Sequence, residues 1–260
     1  MIYYAIDNLT LRKKQISKSD CDLLKDNVAY LVKSANEIDY YRLIKHDLNC
    51  FIELQDKIHV QSEDNFILLN ASFANWLNAF YMWVTFHNHN HNDFFVDLAS
   101  EYRKKSNIFR LASIFRNYET HDSFAIDAIV FDVLKEKSHY LIHLDKMVEI
   151  MSGKVNANDK AWLLDKISNG ELDNSIDAIE YAKEFVSVFE SIQHEIWNKL
   201  SEDIICAYNR CINTLNFDYS DLYNLSIKSD DTEIEDDYGI GQVLSNSLKK
   251  IRDNYPNMIV

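Results

Sequence analysis

Arg116 and His121 stand five residues apart, with Asn117 directly after the arginine. An arginine stays charged at any working pH and presents a planar fork of donors that fits phosphate oxygens. A histidine, with an ordinary pKa of about 6.5, can take or give a proton near neutrality. These types suit cleavage of a phosphodiester by attack of a neighbouring hydroxyl on phosphorus. That reaction needs a proton acceptor, a proton donor to the leaving oxygen, and a cation against the charge that builds on phosphorus. One histidine cannot be acceptor and donor at the same moment. A symmetric pair of chains, each giving a His121, would complete the set. Between Glu101 and His121, the basic Arg103, Lys104, Lys105, Arg110 and Arg116 oppose only Glu101 and Glu119. This basic island is the expected substrate contact.

The motif ends an apolar stretch, Ile108 to Tyr118, whose Ile108, Leu111, Phe115 and Tyr118 predict the buried stripe of a helix. Five helical residues turn about 500°, so Arg116 and His121 stand about 140° apart. Their convergence asks the helix to end or bend near Glu119 and Thr120, or the long arginine to reach across. Asn117 and His121, at i and i+4, share a face. The Arg116-Asn117-x-x-x-His121 stretch, with an apolar helix before it and a hairpin pattern after it, resembles the R-x(4–6)-H signature of the HEPN superfamily. In that superfamily a polar residue, often Asn, commonly follows the arginine. The order of elements over about residues 66–150 is similar to that of bacterial proteins of unassigned function with an Arg-Asn-Tyr-x-x-His stretch. The resemblance implies a helical bundle in which two protomers bring their motifs to one composite cleft. It implies a metal-independent endoribonuclease, without cofactor, acting on RNA as a toxin or in phage defence. Such a homodimer could have an antitoxin or sensor protein as partner. Other members of the superfamily have lost the activity, so a non-catalytic interaction or dimerisation protein is the second reading.

Rival chemistry is weaker. His87, His89 and His91 alternate with Asn and, if extended, would project on one side with Asp93 nearby, a possible transition-metal set. The simpler expectation is a polar loop after a buried helix, because Asn and Asp compete with the backbone for hydrogen bonds. His139 and His143 have metal-compatible spacing only on a helix, and their segment reads as strand. His194-Glu195 lacks the second His of a zinc-protease motif, since Asn198 stands there. Gly239-x-Gly241 has no third glycine, so neither a dinucleotide nor a P-loop site is supported. Cys21, Cys50, Cys206 and Cys211 contain no C-x-x-C pair and read as reduced thiols of a cytoplasmic protein, with structural zinc not expected.

The elements that must position the motif are mainly helices. The chain has 260 residues but one Pro and four Gly, too few turn formers for a sheet-rich fold. Helical spacing begins near Leu23, and Phe66 to Phe86 is apolar nearly all round, as a central buried helix would be. Trp76, Phe80 and Trp83 at spacings of four and three belong to its core. Phe94 to Lys105 forms a shorter helix. From Ser123 the pattern changes to alternation, with the polar Lys135 to Ser138 as a turn, which predicts a two-stranded hairpin. Helices over Lys160–Ile167, stopped at Ser168-Asn169-Gly170, and from about Ser175 to Leu215 follow. The stretch from Cys50 to Val60 fits strand or helix. The expected fold is a mainly α, HEPN-like helical bundle over residues 1–150 with a small β-hairpin. A helical extension over 151–260 would pack on it or continue the same domain. No apolar run approaches the roughly 18–20 residues that span a bilayer. The net charge of −14 excludes a broad nucleic-acid or anionic-membrane surface. It peaks in the acidic run from Asp230 to Asp237, read as a solvated loop. Contact with RNA would therefore be confined to the island from Arg103 to Arg116.

Overall fold

A computed structural model describes residues 3–7, 9, 13–151, 157–215, 225–229 and 240–255. The acidic run from Asp230 to Asp237 and Gly239 lie outside them. The protein is mainly α-helical, with two small antiparallel sheets among the described residues. The chain divides into two compact units, residues 40–195 and residues 1–39 with 196–260, so each draws on both sides of residue 150.

The unit that holds the motif is built on α2 (Glu63–Asn90), α3 (Asn92–Lys105) and α4 (Asn107–His121). The later part of α1 (Lys18–Glu53) and the first part of α7 (Ala178–Leu215) also belong to it. Helix α2 starts where Ser62 Oγ accepts from the Asn65 amide at 3.3 Å, and Glu63 and Asp64 in its first turn oppose the helix dipole. Its inner face is aromatic. Trp76 and Phe80 pack on Phe185 of α7 with ring centroids 5.0 and 5.2 Å apart, and Phe80 meets Phe109 of α4 edge-on at 5.4 Å. Trp83 Nε1 donates to Gln193 Oε1 at 2.9 Å, so this indole is buried with its polar edge satisfied. The expected aromatic stripe is core.

One sequence expectation changes here, and one open reading is resolved. The His87-to-Asp93 run is not a loop. Helix α2 continues to Asn90, and only His91 separates it from α3, serving as the C-terminal cap of one helix and the N-terminal cap of the next. Helical spacing puts His87 and His91 on one face, buried, with centroids 5.5 Å apart, while His89 is exposed. Burial offered to the imidazoles by Trp83 and Phe95 outweighs the weak helix propensity of the Asn residues. The ambiguous stretch from Cys50 is helical to Glu53, followed by a 3₁₀ turn at Leu54–Asp56.

The hairpin is present as β3 (Ala128–Asp132) and β4 (Lys137–His143), and β5 (Ser175–Asp177) adds a third strand beside β4. Along β4, Ser138, Tyr140 and Ile142 are buried while His139, Leu141 and His143 take the other face. Asp132 Oδ1 closes the turn by accepting from the Leu134 and Lys135 amides at 3.0 and 3.2 Å. After β4 come α5 (Leu144–Ile150) and α6 (Ala157–Ser168). Gly170, at φ 70°, follows α6, where a left-handed residue ends a helix without a Cβ clash.

The other unit holds an antiparallel sheet of β2 (Lys13–Ile16), β1 (Tyr3–Asp7) and β6 (Leu225–Ser229), in that order. The N-terminal strands went unpredicted because each is only four or five residues long. Helix α8 (Ile240–Asn254) buries Leu244, Leu248 and Ile251 at spacings of four and three. Ser17 and Asp20 cap α1 reciprocally, Asp20 N donating to Ser17 Oγ at 3.0 Å.

Buried Asn70 of α2 fixes the chain that leads from α4 into the hairpin. Its Nδ2 donates to Ile126 O at 3.0 Å, and its Oδ1 accepts from Ile126 N at 2.9 Å. Asn70→Leu keeps the branched shape but leaves both backbone groups of Ile126 without that partner. It should destabilise the protein by roughly 2–4 kcal/mol. Urea denaturation would show a lower midpoint at an unchanged slope, and an unshifted midpoint would contradict the clamp.

Candidate functional site

Helix α4 buries Phe109, Leu111, Ala112, Ile114, Phe115 and Tyr118. Ser113, Arg116 and Asn117 follow one another at i, i+3 and i+4 beside this stripe. Tyr81, Thr85 and Asn88 do the same on α2, at i, i+4 and i+7. With Arg103 of α3, these seven residues and the apolar Phe80 and Val84 line a cavity of about 350 Å³.

The Arg116 guanidinium lies 3.9 Å from the centre of the Tyr81 ring. This places the cation against the electron-rich face of the ring. Its NH1 reaches Asn117 Oδ1 at a long 3.4 Å, and its Nε is buried without a hydrogen-bond partner. Among the described residues, no carboxylate forms an ion pair with Arg116 or Arg103. A half-buried cation lacking a counter-charge is costly, and an anion entering the cavity would offset that cost. Asn117, Ser113, Thr85 and Asn88 surround it with neutral polar groups. The cavity is thus suited to a phosphate-like anion.

The rest of the basic island is dispersed. Lys105 pairs with Glu101 on the surface of α3. Arg110 turns to α6, where Asp159 lies 3.8 Å away and the Trp162 ring 4.4 Å away. Lys104 is exposed and lines none of the cavities described. Two of the expected contacts, Arg103 and Arg116, therefore face one space.

His121 faces another. The helix neither ends nor bends near Glu119, as convergence with Arg116 would have asked, because α4 stays helical through His121 and is capped by Asp122, whose amide donates to Tyr118 O at 2.9 Å. The 140° between Arg116 and His121 is preserved. His121 lines an open cleft with Glu119, Thr120, Asp122, Ser123 and Phe124. Within one protomer, Arg116 and His121 line separate cavities.

Glu119 is the residue that motif reading missed. Burial pushes its carboxyl from the usual 4.5 up to about 7, even though Oε1 accepts from the Ala125 amide at 2.7 Å. The cleft thus holds an exposed imidazole and a carboxyl that titrates near neutrality. Its signal in the sequence was a carboxylate one turn past Phe115, on the edge of an otherwise apolar stripe.

Other titratable clusters are accounted for within the fold. His139 Nδ1 lies 2.6 Å from Asp177 Oδ2, and His143 Nδ1 pairs with Asp127, so each histidine of β4 has its own aspartate. Among the described residues the buried carboxylate is Glu37 on α1 and the buried imidazoles are His87 on α2 and His91 just after it, and these side chains are of metal-ligating type. Burial, reinforced by neighbouring His91, holds His87 well below the ordinary imidazole range, so it is neutral at pH 7. The four cysteines are free thiols, with Cys21 and Cys211 buried. No helix among the described residues is long and apolar enough to cross a membrane. No family model, curated protein or solved structure matches the chain.

The raised Glu119 pKa has a stability consequence. Between about pH 4.5 and 7 the folded state holds a proton that the unfolded chain has released, so stability falls as pH rises through this window. The loss is at most about 3 kcal/mol. Glu119→Gln keeps the acceptor for Ala125 and removes the titration. Its thermal midpoint relative to wild type should be higher at pH 8 than at pH 4.5. Parallel pH curves for the two proteins would contradict a half-buried, near-neutral carboxyl.

Proposed function

We propose that the protein is a HEPN-like, metal-independent endoribonuclease that holds a phosphate of RNA on Arg116 and Arg103 and moves protons with His121. The observation that carries this reading is the Arg116 guanidinium, without an ion-pair partner among the described residues, in a cavity that also holds Arg103, Ser113, Asn117, Thr85 and Asn88. In the proposed reaction the 2′-oxygen of the ribose attacks the adjacent phosphorus, giving its proton to a base. The bond from phosphorus to the 5′-oxygen breaks, and that oxygen takes a proton from an acid. The products are a 2′,3′-cyclic phosphate and a 5′-hydroxyl. Arg116 stabilises the charge on the phosphoryl oxygens, with Asn117 beside it.

Because Arg116 and His121 line separate cavities of one protomer, the reading calls for a homodimer. The Arg116 cavity of one copy would then meet the His121 cleft of the other. Glu119, in that same cleft, is the additional group able to exchange a proton near neutrality. The resemblance of the Arg116–His121 stretch supports a role in toxicity or phage defence, with an antitoxin or sensor as partner, in the cytoplasm.

A second reading is favoured by the same separation and by the packing of Arg116 on Tyr81. In it the motif is structural, and the protein is a non-catalytic interaction or dimerisation module that takes an anion without cleaving it.

Cleavage of single-stranded RNA in the presence of chelator separates the two. The ribonuclease reading expects wild type to cut and His121→Ala to lose at least ~100-fold in rate, the usual scale of general acid–base catalysis. Arg116→Ala should lose comparably. Equal cleavage by wild type and His121→Ala removes that histidine from the mechanism. Cutting that stops only with chelator would move attention to the buried His87 and His91.

A further inference from the structure

The Arg116 cavity has a neighbour. A second, more open cavity of about 370 Å³ is walled by Tyr40 of α1, Tyr81, Met82 and Phe86 of α2, with Thr85, His89 and Asn90 completing it. Tyr81 and Thr85 line both cavities, so the two spaces adjoin across one residue pair. Their contents differ in kind. The first carries two arginines and amide or hydroxyl side chains. The second has no Asp, Glu, Lys or Arg in its lining and is mainly aromatic. Tyr40 and Phe86 lie with centroids 4.9 Å apart, and Tyr81 and Met82 remain 47% and 48% exposed on the helix surface. Exposed aromatic surface beside an unpaired cation is a poor solution for a solvated helix face, since it leaves apolar area in water and a guanidinium without its anion.

A ligand that is anionic at one end and planar and apolar at the other resolves both. We propose that the aromatic groove of Tyr40, Tyr81 and Phe86 seats the base of a ribonucleotide whose phosphate lies on Arg116 and Arg103. The proposal rests on the phosphate reading of the Arg116 cavity and adds a base subsite to it. Each cavity alone is within the range of small-ligand sites, about 300–1,000 Å³. Flat aromatic rings accept any base through its π-face, so the site is built for single-stranded nucleic acid with little sequence preference. Tyr81 has a double task. Its ring carries the guanidinium of Arg116, and the residue also forms a wall of the groove. The strongly acidic chain would then touch RNA at one short stretch, with the base contact supplying affinity that salt does not screen.

Calorimetric titration of wild type with adenosine monophosphate, ribose 5-phosphate and inorganic phosphate tests the proposal. A stacked base is expected to tighten binding at least about fivefold over ribose 5-phosphate. Tyr40→Leu removes a wall of the groove that does not line the Arg116 cavity. It should erase this difference while leaving the affinity for inorganic phosphate unchanged. Equal affinities of the nucleotide and ribose 5-phosphate for wild type would overturn the base subsite. The Arg116 reading would survive that result if inorganic phosphate still binds and Arg116→Ala abolishes it. No binding of any of the three overturns both. A nucleotide preference that persists in Tyr40→Leu places the base elsewhere and defeats the proposal. Self-association in sedimentation that Tyr40→Leu disrupts, with no nucleotide preference in wild type, would make the groove an interface between copies of this chain.

Discussion

A guanidinium held against an aromatic ring, with no carboxylate beside it, is the constraint around which the candidate site is arranged. Arg116 could have been neutralised by an acid, as Arg110, six residues earlier on the same helix, is by Asp159 of α6. Instead it lies over Tyr81 in a cavity whose other charged member, Arg103, has the same sign. Two like charges and a buried, unpartnered Nε are tolerable only if the surrounding packing fixes them. That packing is the aromatic core. Phe80 and Trp83, next to Tyr81 and Val84 on α2, are locked against α4 and α7, so the wall that carries Arg116 cannot easily turn away.

The same rigidity keeps Arg116 and His121 apart. A helix that continued one turn less would have let the two side chains swing together. Asp122 closes α4 after His121, and Glu119 ties its end to Ala125. The geometry therefore separates two places, the Arg116 cavity between α2, α3 and α4 and the His121 cleft at the end of α4, to which the proposed function assigns anion binding and proton transfer. Any single reaction that uses both must bring them from different copies of the chain.

How much of this was legible in the sequence depends on the kind of signal. Long helices were, because the apolar period of segments such as Phe66 to Phe86 repeats over many turns and leaves no competing pattern. The hairpin was legible from alternation around Ile129 and Tyr140 with a polar turn between them. The His87–His91 helix was not. Its Asn residues speak locally for a loop, and their preference was overridden by burial of His87 and His91 against Trp83, Phe86 and Phe95, contacts made visible only by folding. For the site, helical spacing gave the warning that His121 points away from Arg116, but it set Asn117 on the face of His121, whereas Asn117 lines the Arg116 cavity and not the His121 cleft. Which cations of the basic island would be neutralised could not be read, because the partner of Arg110 lies on α6, dozens of residues away. The near-neutral carboxyl of Glu119 was likewise hidden, since a pKa raised by burial depends on the neighbours that exclude water.

The central claim is that Arg116 waits for an anion, and its own Nε–H proton reports on that most directly. With the arginine side chains labelled in nitrogen-15, the Arg116 Nε–H cross-peak can be followed as inorganic phosphate is added at constant ionic strength. The account predicts a saturable shift of this signal, with the Arg110 signal, already paired with Asp159, nearly still. An Arg116 signal that does not move, or one that drifts in step with Arg110 and without saturation, would contradict it.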